Sequence, residues 1–172
     1  MSRRAVQPVA EIPQEVRLDE TDWRILRTLQ ENGRATNRSL ALDVDLSPPG
    51  LQKRLRRLEE KGVIQRYVAL LDREVVGLDI LCFVQVTLAT HEPETRALFR
   101  AEIRNLPEVL ECHHLTGEYD YLLKVVTSNH KHLERFLFDD LTPAPGVDRT
   151  RTSIVLREIK HSTSLPLDRV AP

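Results

Sequence analysis

The sequence predicts an α+β protein in two modules, three short helices followed by a βαββαβ layer, and three observations carry that expectation. Apolar residues recur at helical spacing up to Gly62, and beyond Leu78 they switch to strand-like runs interleaved with two helical stretches. Charge divides along the same boundary, with 13 basic against 10 acidic residues up to Arg66 and 12 against 16 beyond it. A chain of 172 residues, 41% hydrophobic and 30% charged, has ordinary globular composition and suffices for one large or two small domains. The net charge of -1 thus conceals a basic module joined to an acidic one, and a basic module suits a polyanionic partner.

Residues 1–17 hold Arg3, Arg4, Pro8 and Pro13 with no sustained period and are expected to be a flexible arm. The module of residues 18–66 opens at Asp19, which can cap a helix whose N3 residue, Asp22, completes a capping box, with Leu18 and Trp23 as a hydrophobic staple. Ile25, Leu26 and Leu29 give this helix its apolar face, and Asn32-Gly33 ends it. A second helix is expected over Asn37–Val44 with Leu40, Ala41 and Val44 inward, then a turn at Asp45-Leu46. Ser47 is a good N-cap, and Pro48 fits N1, where its missing N–H costs nothing. In this third helix Leu51, Leu55 and Leu58 recur at i, i+4 and i+7, which points Pro49, Gln52, Lys53, Arg56 and Arg57 outward until Gly62 stops it.

Val63–Leu71 has strand-like composition, and residues 67–79 read as a linking strand and linker, with Gly77 in the Asp72–Asp79 stretch. The second module, residues 80–165, follows as strand Leu81–Leu88, helix Glu94–Asn105, strands Val109–Leu115 and Tyr119–Val126, helix His130–Asp139 and strand Thr150–Lys160, with a tail over 166–172. That order is found in ferredoxin-like domains, where two helices cover one sheet face and the other face needs a partner, so oligomerisation is expected.

Several function classes drop out. No apolar run reaches the roughly 18 residues of a membrane span, and the N-terminus lacks an apolar h-region, so a cytoplasmic protein is expected. Cys82 and Cys112 cannot make a disulfide framework and read as core packing. Cys112, His113 and His114 are metal-ligating residue types, but on a strand they face alternate sides and no companion pair such as CxxC occurs, so no metal site and no cofactor are expected. Neither GxSxG nor a P-loop is present, which leaves an enzyme without a readable constellation.

Cap, turn, apolar stripe and basic outer face together make a helix-turn-helix, whose third helix enters the major groove. Double-stranded DNA is therefore the expected partner, through Ser47, Pro49, Gln52, Lys53, Arg54, Arg56 and Arg57: the cations neutralise phosphates or donate to guanine, and a glutamine amide can read adenine. The segments LDETDWRIL, LSPPGLQKRLRRLEEKGVIQRY, LPEVLECHHLTGEYDYLLKVV and PGVDRTRTSIVLREIKHSTSLPL, in this order between Leu18 and Leu167, resemble the Lrp/AsnC family of transcription regulators. Gly50 departs from the pattern, since helix formers are more usual there. The resemblance implies a sequence-specific regulator, a homodimer assembling to tetramer or octamer, with an amino-acid effector. It places the effector at Thr116, Gly117, Glu118, Tyr119 and Asp120, where carboxylates can pair with an α-amino group, although the same residues also suit a plain hairpin turn. A DNA-compacting protein and a small ferredoxin-like enzyme are the alternatives.

Overall fold

The computed structural model describes residues 16–167, so most of the 1–17 arm and the end of the tail lie outside the described residues. The chain divides into two compact units: residues up to Ala69 together with those from Ser162, and Leu70–His161.

The first unit is built on α1 (Glu20–Glu31), α2 (Asn37–Asp43) and α3 (Pro48–Glu60). The expected capping box starts α1, with the Asp22 N–H donating to Asp19 Oδ1 at 2.9 Å and the Asp19 N–H to Asp22 Oδ2 at 3.0 Å. Ser47 caps α3 by accepting the Gly50 N–H at 3.3 Å, and a Cβ at Gly50 would lie 3.2 Å from that same hydroxyl. Glycine therefore leaves the cap its room. Ile25, Leu40, Ala41, Val44, Leu51 and Leu58 form the core, with Leu18, Leu55, Val63 and Ile64 packed against it. Trp23 is half-buried, and its indole N–H has no hydrogen-bond partner among the described residues. The segment from Ser162 joins this unit through Gln30, whose amide donates to the Leu165 carbonyl at 3.2 Å and accepts the Leu165 N–H at 2.7 Å.

The expected strand over Val63–Leu71 is absent. The N–H groups of Val63 and Ile64 instead donate to the Leu58 carbonyl at 2.9 and 3.1 Å, which tucks them onto the helical core. Beyond them no strand among the described residues pairs with the backbone, and a strand without a neighbour has no ladder to hold it. The Leu70–Asp79 stretch is a loop tied by Arg73, which donates to the carbonyls of Leu78 and Asp79 at 3.2 and 2.7 Å.

The second unit runs β1 (Ile80–Leu88), α4 (Pro93–Ile103), β2 (Val109–His114), β3 (Tyr121–Thr127), α5 (His130–Arg135) and β4 (Val147–Ile154), the βαββαβ order expected. The sheet order is β2-β3-β1-β4 with every neighbour antiparallel. The fifth helix does not stay α-helical: Phe136–Leu141 is π-helical, and the wider i→i+5 turn sets Phe136 and Leu141 on one side, both fully buried. The last strand covers Val147–Ile154 instead of the expected Thr150–Lys160: it pairs with β1 from Leu88 to Cys82, and past it the Val155 N–H donates to the Leu81 carbonyl at 2.9 Å.

Alternate residues Cys82, Val84, Val86, Tyr121, Leu123 and Val125 face α4 and α5 and build the core with Phe99, Ile103 and Leu133. The Phe99 and Tyr121 rings pack with centroids 4.7 Å apart. The opposite face carries Phe83, Glu111, His113 and Lys124, all in facing registers or on one strand, and no described helix of this unit covers it. At one end of this face a hollow of about 670 Å³ is lined by Leu71, Val76, Leu81, Leu110, Val126 and Leu156.

Candidate nucleic-acid interface and effector turn

The helix α3 presents Ser47, Pro49, Gln52, Lys53 and Arg56 to solvent. Lys53 and Arg56 have no hydrogen bond or ion pair among the described residues. Arg54 and Arg57 are differently placed. Arg54 Nη1 donates to Asp19 Oδ2 at 2.6 Å and to Asp22 Oδ1 at 2.9 Å, and Arg57 Nη2 donates to Asp22 Oδ2. Asp22 has no exposed side-chain surface, whereas Arg54 and Arg57 keep 28% and 44% of theirs. The Arg54 hydrogen bond, reinforced by the Asp22 N–H, holds the Asp19 carboxyl below its ordinary range, and Asp19 in turn raises Arg54. Sequence spacing placed Arg57 on the outward face, and so it is, but its head turns back to α1. The capping pattern flagged Asp22; nothing local showed that two arginines more than thirty residues away close on it.

In the second unit the five turn residues fall together between β2 and β3. Gly117 adopts φ 118°, a left-handed value that favours glycine, and a Cβ there would meet open space. Thr116 and Glu118 are exposed. Tyr119 accepts a hydrogen bond from Arg151 at 3.3 Å. Asp120 is engaged throughout: its N–H donates to the Val86 carbonyl at 3.0 Å, its carbonyl accepts from Leu115 at 2.8 Å, its Oδ2 accepts the Leu88 N–H at 2.8 Å, and His91 Nδ1 lies 3.2 Å from Oδ1. The strand expected from Tyr119 therefore starts at Tyr121, the first residue free of these turn bonds. Sequence reasoning gave no role to His91 or Arg151, which reach the turn from loop and strand positions far along the chain.

The candidate metal ligands separate as alternation requires. His113 Nε2 lies 3.0 Å from Glu111 on the uncovered face, where Lys124 also donates to Glu111 at 3.1 Å, while His114 packs on Tyr121 from the other side with centroids 5.0 Å apart. Burial pushes the Cys82 thiol up to about 11. No group of three or more His, Cys, Asp or Glu side chains that could hold a metal occurs among the described residues. None of their helices is long and apolar enough to cross a membrane.

A helix-turn-helix with a basic outer face, carried with a one-sided βαββαβ layer, defines the class of two-module DNA-binding proteins with a separate ligand domain. Residues 18–65 match a sequence profile described as winged helix-turn-helix DNA-binding, and residues 81–165 one described as Lrp/AsnC ligand binding domain. The leucine-responsive regulatory protein of Salmonella typhimurium is 40% identical over 148 residues, spanning 86% of this chain and 90% of the relative. Its namesake in Haemophilus influenzae is 39% identical over 150 residues, spanning 87% and 90%. Among solved structures, a transcriptional regulator from Neisseria meningitidis in complex with L-Met superposes with a TM-score of 0.84 at 44% identity, covering 90% of this chain and 99% of that one. An AsnC family regulator from Agrobacterium tumefaciens gives 0.82 at 34%, covering 88% and 99%. The chain belongs to the Lrp/AsnC family of transcription regulators, DNA-binding in its first module and ligand-binding in its second.

Proposed function

We propose that this regulator reads DNA with the outer face of α3, through Ser47, Pro49, Gln52, Lys53 and Arg56, and responds to an amino acid held around Thr116–Asp120. The observation that carries the DNA reading is the pair of exposed, unpartnered cations Lys53 and Arg56 beside Gln52. An amino acid is favoured because the similar Neisseria regulator is in complex with L-Met and the curated relatives are leucine-responsive by name. Glu118 is the carboxylate for the α-amino group, since Asp120 already accepts from Leu88 and lies against His91. Gly117 offers its backbone N–H and Thr116 its hydroxyl to the carboxylate end, with Tyr119 and Asp120 shaping the turn.

The protein acts in the cytoplasm as a homodimer or a higher assembly, tetramer or octamer, without catalysis. The uncovered sheet face, with a hollow lined by apolar and charged side chains in about equal share, is the surface a second copy would close. An effector that prefers one assembly state shifts how many helix-turn-helix modules engage adjacent sites at once.

Binding to operator and to random DNA tests the first half. Lys53→Ala or Arg56→Ala should cost about 1–3 kcal/mol on operator where the contact is to a base, and a smaller loss on both DNAs where it is to phosphate. Unchanged affinity in both variants removes α3 from this role. A thermal-shift screen of amino acids tests the second half, with Glu118→Gln abolishing the shift and the matching keto acid giving none.

A further inference from the structure

The helix α3 carries four cations, Lys53, Arg54, Arg56 and Arg57, and two of them are turned away from its outer face by one buried carboxylate on α1. We propose that Asp22 is a specificity-determining positioning residue: it withholds Arg54 and Arg57 from the DNA backbone, so that the phosphate-neutralising charge of α3 is confined to Lys53 and Arg56.

This role of Asp22 rests on α3 being the DNA-reading helix, and three features of the cluster point to it. Asp22 is fully buried, and both its oxygens are committed: Oδ1 to Arg54, and Oδ2 to Arg57 and the Asp19 N–H. Asp19 adds a second carboxylate on Arg54, so two acids answer two guanidiniums, and the group adds no net charge to the flank of the helix. Yet Arg57 keeps 44% of its side chain exposed, and a hollow of about 550 Å³ beside it is lined by Lys53, Arg54, Arg56 and Arg57 against two acids, Asp19 and Glu60. An anion entering that hollow would meet Arg57 beside Lys53 and Arg56 if Asp22 let go, with Arg54 still held by Asp19.

Phosphate contacts raise affinity for every sequence alike, whereas base contacts discriminate. Two arginines kept off the backbone lower non-specific binding without touching the edge-reading residues, which widens the ratio of operator to random affinity. Asp22 does this from behind the helix and touches no DNA.

The measurement is the dependence of affinity on salt for the full chain, with operator and random duplexes and with folding followed by circular dichroism. Each phosphate newly neutralised or released changes the slope of log K against log salt by about 0.9. Asp22→Asn frees Arg57, whose one carboxylate partner among the described residues it is, while Asp19 still holds Arg54 at 2.6 Å, so the slope should steepen by the equivalent of about one phosphate, random-DNA affinity should rise, and the operator-to-random ratio should fall. Arg57→Gln should leave the wild-type slope in place, and the double variant Asp22→Asn/Arg57→Gln should return most of the way to it, at unchanged net charge. If Arg57→Gln alone flattens the slope by the equivalent of about one phosphate, Arg57 already holds a phosphate and the proposal is wrong; it is equally wrong if folded Asp22→Asn keeps the wild-type slope. Should Asp22→Asn not fold, Arg57→Gln still decides. Lys53→Ala is the control for the underlying reading, because if it too leaves the slope unchanged, it is the DNA role of α3 that fails.

Discussion

Asp22 in the helical unit and Asp120 in the sheet unit are both carboxylates near the start of an element, and both are bound by groups about thirty residues away, but by groups of opposite kinds. Asp22 is closed over by the charged heads of Arg54 and Arg57 and is fully buried. Asp120 keeps 17% of its side chain exposed and takes a neutral backbone N–H, that of Leu88, with His91 at its second oxygen. One carboxylate removes cations from a surface, and the other pins a turn to a strand end. Residue type alone does not tell which polar group remains free for a ligand; the distant partner decides. In the helical unit this leaves Lys53 and Arg56 free, and in the sheet unit Thr116 and Glu118.

The comparison sets the order of the expected losses. Asp22→Ala removes the capping-box acceptor for Asp19 and strips partners from both arginines, so it should destabilise the helical unit by about 2–3 kcal/mol, less than a wholly buried pair would lose because the arginines can reach water. Chemical denaturation followed by Trp23, the sole tryptophan, measures it directly. A loss below about 0.5 kcal/mol would mean that the two arginines gain nothing from Asp22, and the contrast with Asp120 would vanish.

Asp120→Ala should cost less, about 1–2 kcal/mol, because it leaves one backbone donor, the Leu88 N–H, to find water at a half-open edge. Asp120→Asn keeps an acceptor for that N–H and should recover most of the loss. If effector binding survives in Asp120→Asn but not in Glu118→Gln, Asp120 shapes the turn and Glu118 meets the ligand; the reverse result would exchange their roles.

How much of this was legible in the sequence follows the range of each interaction. The Asp19/Asp22 capping box, the Ser47-Pro48 start and the Leu51, Leu55, Leu58 stripe are decided within one helical turn or two, and each stands where periodicity put it. The βαββαβ order was equally readable, because alternation fixes which residues face the helices. Strand ends were less so: β4 covers Val147–Ile154, the residues that pair with β1, and that pairing is a fact about another segment. The Val63–Leu71 strand failed for the same reason, since β-branched composition supplies propensity but not a neighbour. At the candidate sites the availability of the side chains was not visible in the sequence, as Arg54, Arg57 and Asp120 show.

The smallest expected effect is on acid stability, and it sharpens the contrast between the units. In the helical unit the Asp19 carboxyl lies below its ordinary value of 3.8, mainly through Arg54. In the sheet unit the Glu111 carboxyl lies below 4.5 through hydrogen bonds from His113 and then Lys124. Glu108 also lies below 4.5: burial pushes it upward, but the hydrogen bond from His132, its own backbone N–H and the charges of His132 and Arg135 outweigh that push. A folded-state value below the unfolded one means that the native state binds fewer protons, so these groups stabilise the fold above the ordinary value and the contribution disappears as pH falls through the folded one. The sheet unit should therefore start to weaken below about pH 4.5 and the helical unit only below about 3.8. All these carboxyls except Glu108 are substantially exposed, so solvent screening keeps the changes small. Carboxyl chemical shifts followed across the acid range would read each titration in the folded state, with Glu111→Gln removing part of the sheet unit's acid sensitivity and leaving that of the helical unit as it was. Asp19 titrating above both glutamates would reverse the order in which the two units lose their acid stability.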